Sequence, residues 1–442
     1  MEHMEYIKIP DGLQSKLCVL GEGVLSEVPN VVNRFWPGKE IILIADENTW
    51  NAAGNEVFRL LSESGIPLSQ PKIFPINPML HADYEHVTEL VPLVKGKVAV
   101  AVGSGTINDL TKRAVFEAKG PGYACVATAC SVDGYTSFGA AISVNNFKQT
   151  LECPAPLALV ADSRVLSSAP MEMTASGYAD LAAKIVAGGD WYIADAMGET
   201  PFDSFAWNIV QKDLRSWLAN PEKLRRNDPE RLTALFNGLA STGFAMQYYK
   251  ESRPASGAEH LFSHVWEMDG VKKDGMSPSH GFKVSVGTLI STALMDFAFR
   301  VMTKEDFARS CEKAPEVSVQ QRQAEIDSYL KGTPIYDNVC RICIGKLLTG
   351  DALRKRRSLI LEKWDCLKEN VLRQIFTFQD MKSRLECMGC PVKAAEIGVD
   401  EAELFRGITV AAMIRKRYTV MDYLFEAGLY RQATEYAASK VL

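Results

Sequence analysis

The hydrophobic positions along this chain change their period once, near residue 162. Before that point, short apolar runs alternate with stretches of helical length. Lys16–Leu20, Glu40–Ala45, Lys97–Val102, Tyr123–Ala127 and Leu157–Ala161 are small or β-branched almost throughout, and Lys72–Pro75 is a weaker member of the set. Runs without a polar face suit parallel strands covered on both sides. Between them, Val24–Phe35, Thr49–Ser64, Asp83–Val94 and Thr106–Ala118 read as helices. Such alternation predicts a parallel sheet with right-handed crossovers. From Met171 to Leu442 helical periodicity is nearly continuous, broken by turns at Asn220-Pro221, Gly332-Thr-Pro334 and Gly350-Asp351. The pattern therefore predicts an α/β domain over residues 1–165 and an all-helical domain over 166–442, with the boundary inside Asp162–Pro170. The charged Lys304–Lys331 stretch is expected to be a helical excursion facing solvent.

Composition narrows the functional classes. A net charge of -5 gives no basic field for nucleic acid. No apolar run is read as long enough to cross a bilayer, and Met1–Pro10 lacks the apolar core of a secretion signal. The ten cysteines are spread without a small-scaffold pattern, which favours a reduced, cytoplasmic protein. Cys340/Cys343 and Cys387/Cys390 have zinc-site spacing, but they lie in helical stretches rather than tight knuckles and are expected to be free thiols.

Candidate chemistry concentrates in three places. His260, His264 and His280, half of the six histidines, fall within one short window. His260 and His264 are four apart and share a helix face, while Pro278 and Ser279 begin a second helix carrying His280. Asp180 sits among small and apolar residues and needs a partner. Lys184, four residues on, is one; a metal shared with His260 and His280 is the other.

The second place is Gly103-Ser-Gly-Thr-Ile-Asn-Asp109, between a strand and a helix start. Glycines there let a ligand approach the backbone, and the helix N-terminus favours phosphate. The residues match neither of the common phosphate-loop patterns. Asp46, ending a strand, can bond a ribose and repel a 2′-phosphate, or simply cap the next helix. The third place is Thr128–Ser137, where Asp133-Gly134 reads as a turn or as a contact for a polyol or nicotinamide-ribose. These features suit a Rossmann-like, dinucleotide-binding α/β domain and a helical domain that binds metal and substrate, an assignment that rests on the family resemblance that follows.

Gly103–Asp109, Asp133-Gly-Tyr135, Ser176-Gly-Tyr-Ala-Asp180, Ser256-Gly-Ala-Glu-His260 with Ser263-His264, and Ser279-His-Gly281 occur in the order seen in sn-glycerol-1-phosphate dehydrogenases. The chain resembles the bacterial form of that family, within the wider group of iron alcohol dehydrogenases, glycerol dehydrogenases and dehydroquinate synthases. The motifs span about Gly21 to Gly287. The resemblance implies reversible hydride transfer between dihydroxyacetone phosphate and sn-glycerol 1-phosphate, using NAD(H) or NADP(H) and one divalent ion, nickel or zinc, with iron also compatible. It implies that Asp46, Gly103, Ser104, Gly105, Thr106, Ile107, Thr128, Ser131 and Ser137 contact the dinucleotide. Asp180, His260 and His280 would hold the metal, and Asp133, Asp180 and His264 would serve the substrate and its chemistry. A homodimer is the expected assembly. Ala179 departs from the glycine common in the wider group, and Lys304–Arg357 has no counterpart role.

The phosphate anchor is left among Lys148, Arg253 and Lys283, at least two of which are expected to be ordinary surface cations. Competing readings are a dehydrogenase of an unphosphorylated polyol such as glycerol, a cyclase of the dehydroquinate synthase kind, a relic nucleotide-binding protein, and a metal-dependent oxygenase. The cyclase needs several substrate-binding cations not evident near these motifs, the relic would have a broken site, and the oxygenase has no use for a nucleotide loop.

Overall fold

The computed structural model describes residues 4–144 and 147–442; of the Met1–Pro10 segment, the first three residues lie outside it. The chain forms two compact units, one of the residues up to Leu181 with Asn208–Ser252, the other of Ala182–Trp207 with Arg253–Leu442. The long helix Met171–Ala196 runs unbroken through this division.

The first unit is built on a seven-stranded sheet. In chain order its strands are β1 (Met4–Tyr6), β2 (Leu17–Gly21), β3 (Ile41–Asp46), β4 (Lys72–Phe74), β5 (Val98–Gly103) and β6 (Tyr123–Ala127), and β9 (Ala158–Asp162) follows a separate hairpin of β7 (Ala140–Val144) and β8 (Phe147–Leu151). The spatial order is β1-β2-β9-β6-β5-β3-β4, and every pairing is parallel except β1 with β2. The expected parallel sheet is therefore present. Val98, Val100 and Val102 enter one hydrophobic cluster with Ile41, Leu43 and Ala45, while the alternate residues Ala99, Ala101, Ile42 and Ile44 are equally buried on the opposite face. Both faces are covered, which is why these strands show no polar alternation.

The edge strand β1 and the β7–β8 hairpin were not anticipated. The hairpin strands mix Ser143, Gln149 and Thr150 with apolar residues, and their pairing is local and antiparallel. A half-polar strand of five residues carries little signal by itself.

After β9 the chain is helical to its end, as the periodicity predicted. In the second unit, His280–Asp296 is buried on nearly every side, packing against Ala258–Met268, Phe378–Met388 and Tyr430–Val441. Two expectations are corrected here. The helical stretch His280–Val301 is, by length and composition, long and apolar enough to cross a membrane, but 89% of its most apolar window is buried within the protein, as in a core helix. Lys304–Lys331 is not a wholly solvated excursion. Its helices, Lys304–Lys313 and Val319–Leu330, bury Phe307 and Cys311, and Arg322, Ile326 and Leu330, respectively. Apart from Arg322, their charged residues are at least partly exposed. Neither Cys-x-x-Cys pair forms a disulfide.

Candidate active site

The strand order reverses between β3 and β5. The chain leaves β3 outward to β4 and returns to the other side of β3 as β5, then continues to β6 and β9. Ligands of open α/β sheets bind outside the carboxyl ends of the strands at such a reversal. Asp46 ends β3 and Gly103 ends β5, so the two flank it. Asp46 also caps the following helix: its carboxylate accepts from Thr49 N at 2.8 Å, and Thr49 Oγ1 accepts from Asp46 N at 3.0 Å.

After Gly103 the helix Gly105–Glu117 begins, with Ser104 as N-cap but no side-chain bond closing its first turn. A Cβ on Gly103 would lie 2.6 Å from that of Ile107, so glycine is what lets this turn close. Ile107 is buried by the same packing, leaving its backbone as what it can offer a phosphate. Ser104 Oγ pairs with Ser131 Oγ and accepts from the Tyr135 hydroxyl at 3.2 Å. Thr128, Ser131 and Ser137 all lie in the loop after β6 and are nearly buried.

That loop is fastened from beneath by residues that sequence reasoning left without a role. Asn108 Nδ2 donates to Tyr135 O at 3.2 Å, and the Tyr123 hydroxyl donates to Asn108 Oδ1 at 2.9 Å. Lys112 Nζ donates to Ser137 O at 3.0 Å and Gly139 O at 2.9 Å, and pairs with Asp109 at 3.4 Å. One helix thus carries the candidate phosphate-binding turn at its start and grips the Asp133–Gly139 loop with its next turns. An Asp and a Lys three apart on one helix were the only trace in the sequence, and such pairs are common on exposed faces. On the loop's other side, Asp133 N donates to Asp180 Oδ2 at 3.0 Å, joining two predicted substrate residues. Ser176 Oγ donates to Ser131 O at 3.3 Å.

The three histidines of the second unit converge. His260 and His264 lie on Ala258–Met268, and His280 opens His280–Asp296, capped by Ser279, whose hydroxyl accepts from Phe282 N at 3.2 Å. The His260 and His280 ring centres are 5.3 Å apart, and each is 6.4 Å from that of His264. These helices meet closely because Gly287 lies where a Cβ would come within 2.4 Å of Glu259 O. His264 keeps 36% side-chain exposure at one edge. Its pKa is pushed down to about 4, chiefly by burial, with Glu267 opposing and the neighbouring His280 and His260 reinforcing the shift. Its ring is neutral at pH 7.

Carboxylates that the sequence did not single out surround these rings. Glu259 Oε1 lies 2.8 Å from His260 Nδ1, and Glu267 Oε1 lies 3.1 Å from His280 Nδ1. Asp190, fully buried, accepts from Ala258 N and Val420 N, each at 2.7 Å. Burial first, then the charge of Glu259, pushes its pKa up to about 7. Gly257 fits between them: a Cβ there would stand 2.3 Å from Asp190 Oδ2 and 2.9 Å from Glu259 Oε2. The Ser256-Gly-Ala-Glu-His260 motif is thus a packing solution, with its glycine seated against two buried carboxylates.

Two of the three candidate phosphate anchors, Arg253 and Lys283, are buried rather than ordinary surface cations, which corrects the expectation for them. Arg253 is buried, donating to Tyr418 O at 3.0 Å and Asp190 O at 3.1 Å. Lys283 is buried beside Glu267 Oε1 at 3.5 Å. The side chain of Lys148 lies outside the described residues.

Residues 19–170 match the family described as "Iron-containing alcohol dehydrogenase". The glycerol-1-phosphate dehydrogenase [NAD(P)+] of Halalkalibacterium halodurans is 28% identical over 87% of this chain and 86% of that protein. The enzyme of the same name from Bacillus subtilis is 32% identical over 62% of this chain and 70% of its own length. The chain belongs to the glycerol-1-phosphate dehydrogenase family. The family's named members are oxidoreductases acting on a CH–OH group with NAD(P). Among solved structures, glycerol dehydrogenase from Schizosaccharomyces pombe superposes with a TM-score of 0.62 at 16% identity, covering 99% of this chain and 92% of that one. At that identity the likeness speaks for the fold, which this family member shares with iron-type and glycerol dehydrogenases.

Proposed function

We propose that this chain interconverts dihydroxyacetone phosphate and sn-glycerol 1-phosphate with NAD(H) or NADP(H), using one divalent metal ion held by Asp180, His260 and His280. The observation that carries the reading is the donor set. His260 and His280 hold two imidazoles with ring centres 5.3 Å apart, and Asp180 offers a buried carboxylate. One carboxylate and two imidazoles fit zinc, nickel or iron(II) with positions left for a substrate oxygen. When bound, such an ion stabilises an alkoxide or polarises a ketone, and the nicotinamide exchanges hydride with substrate C2.

The chain's own residues supply binding and orientation. The turn Gly103–Ile107 presents backbone N–H groups and a helix N-terminus to the pyrophosphate, while Thr128, Ser131 and Ser137 line the loop opposite. Asp46 receives the ribose hydroxyls and disfavours a 2′-phosphate, which biases the enzyme toward NAD. Asp133, held through its amide by Asp180, is set to accept a bond from a substrate hydroxyl. His264, one turn from His260 and open along one edge, passes the hydroxyl proton to solvent as hydride leaves C2, and returns it in reverse. On the same reading the protein works in the cytoplasm as a homodimer.

The test is NADH oxidation with dihydroxyacetone phosphate, using protein stripped by a chelator and reloaded separately with nickel, zinc or iron. Recovery with one ion supports the reaction and names the metal. Inactivity on the phosphate ester, with glycerol reducing NAD, would replace it by an unphosphorylated polyol.

A further inference from the structure

The two imidazoles assigned to the metal share a feature that the ligand set alone does not require. Each has a shielded carboxylate at Nδ1, Glu259 at 2.8 Å from His260 and Glu267 at 3.1 Å from His280. We propose that Glu259 and Glu267 are positioning residues that fix both rings as the Nδ1–H tautomer and turn both Nε2 lone pairs toward the metal. This inference rests on the metal reading above and deepens it.

Neutral imidazole carries one N–H, and the acceptor beside the ring decides which nitrogen bears it. A carboxylate at Nδ1 places the proton there, locks the ring angle and makes Nε2 the better donor to a cation. Both carboxylates are placed at a cost that a casual contact would not sustain. Glu259 is fully buried, and among the described residues its Oε2 has no hydrogen-bond partner. Its Oε1 is fixed from the other side by Gly257 N, which donates at 2.6 Å. An oxygen left unsatisfied in a closed interior is expensive, so retaining a carboxylate there argues for a task at Oε1.

Glu267 is shielded to 9% exposure and reaches three other groups on the two helices: Lys283 at 3.5 Å through Oε1, His264 at 3.6 Å through Oε2, and His280. Ser263 Oγ, 3.4 Å from His280 Nδ1, lies beside the same pair. Glu259 precedes its histidine by one residue on the same helix, whereas Glu267 reaches across to the next helix. Two different local routes therefore deliver the same arrangement to two ligands.

The experiment measures zinc and nickel affinity of the chelator-stripped full chain, by competition with a chromophoric chelator, for the wild type, Glu259→Gln and Glu267→Gln. Long-range ¹⁵N–¹H spectra of the histidine-labelled wild type report the tautomers independently of any variant. Expected are Nδ1–H tautomers at His260 and His280, and metal affinity weakened about 10- to 100-fold in each variant. Gln variants that bind both ions as tightly as the wild type overturn the positioning role while leaving the metal reading intact. If a Gln variant does not fold, the wild-type spectra decide: Nε2–H at His260 and His280 overturns the inference. A wild type that takes up neither ion overturns the metal reading, and this inference with it.

Discussion

Replacing Gly177 by alanine tests how tightly the Met171–Ala196 helix must sit on the loop after β6. An alanine Cβ at this position would stand 1.9 Å from Cys130 O, 2.7 Å from Cys130 C and 3.2 Å from Leu239 Cδ1. Ordinary contact begins near 3.4 Å, so helix and loop must separate by about 3.4 − 1.9 = 1.5 Å along this direction. The obstacle is a backbone carbonyl, which has no rotamer to change. Overpacking of this kind costs about 1–3 kcal/mol, offset in part by up to about 1 kcal/mol from alanine's better helix propensity. A net loss of about 1–2 kcal/mol follows. Activity should suffer more than stability, because Cys130 lies between Thr128 and Ser131 and the helix carries Asp180. A misplacement of about 1 Å can cost about 100-fold in rate.

The assay pairs urea unfolding with kcat/KM for NADH oxidation by dihydroxyacetone phosphate. Gly345→Ala serves as the control, since nothing lies within 4 Å of a Cβ there. The expected result is a lowered urea midpoint and kcat/KM reduced about 100-fold for Gly177→Ala, with the control unchanged in activity. A Gly177→Ala protein matching the wild type in both would refute the reasoning, since the helix would then sit looser than the contact requires.

Three further outcomes follow from the same structure. Burial pushes the Glu426 carboxyl up from 4.5 to about 7, against the pull of Arg356 and the Tyr418 hydroxyl; the folded state therefore holds a proton that the unfolded chain releases, and stability falls as pH rises from about 4.5 to 7, by roughly 3 kcal/mol for this group. Glu426→Gln should flatten that slope in urea melts taken between pH 5 and 7.5, leaving the same-signed share of Asp190, and an unaltered slope would count against it. Lys112→Met takes the cation away from Asp109 and the donor away from the loop carbonyls, so about 3 kcal/mol of stability and a rise in the KM for NADH are expected, and an unchanged KM would mean the loop is ordered without it. His264→Ala should keep its metal by elemental analysis while turnover falls about 100-fold; loss of metal would show that His264, not its neighbour, is the ligand.

The sequence by itself determined the parallel strands of the sheet and the order of motifs. Val98–Gly103 and Ile41–Asp46 are buried on both faces, so their apolar runs left no ambiguity of period. The glycine turn, Asp180 and the three histidines were legible because each is a chemically unusual residue in a small or apolar setting. Residues whose meaning depends on a distant partner were not legible. Lys112 reads as one more helical lysine until Ser137 and Gly139 turn their carbonyls to it. Arg253 reads as a surface cation until Tyr418 and Asp190 enclose it. Glu259 and Glu267 read as charges on a helix face until the fold closes over them beside two imidazoles.

The difference is physical. Local propensity and hydrophobic period are set by neighbours in the chain, so they can be read along it. A buried polar group takes its role from whatever satisfies it, and here that partner often comes from another part of the chain. Tertiary structure alone decided that β3 and β5 flank the reversal of strand order, and that three histidines from two helices face one another.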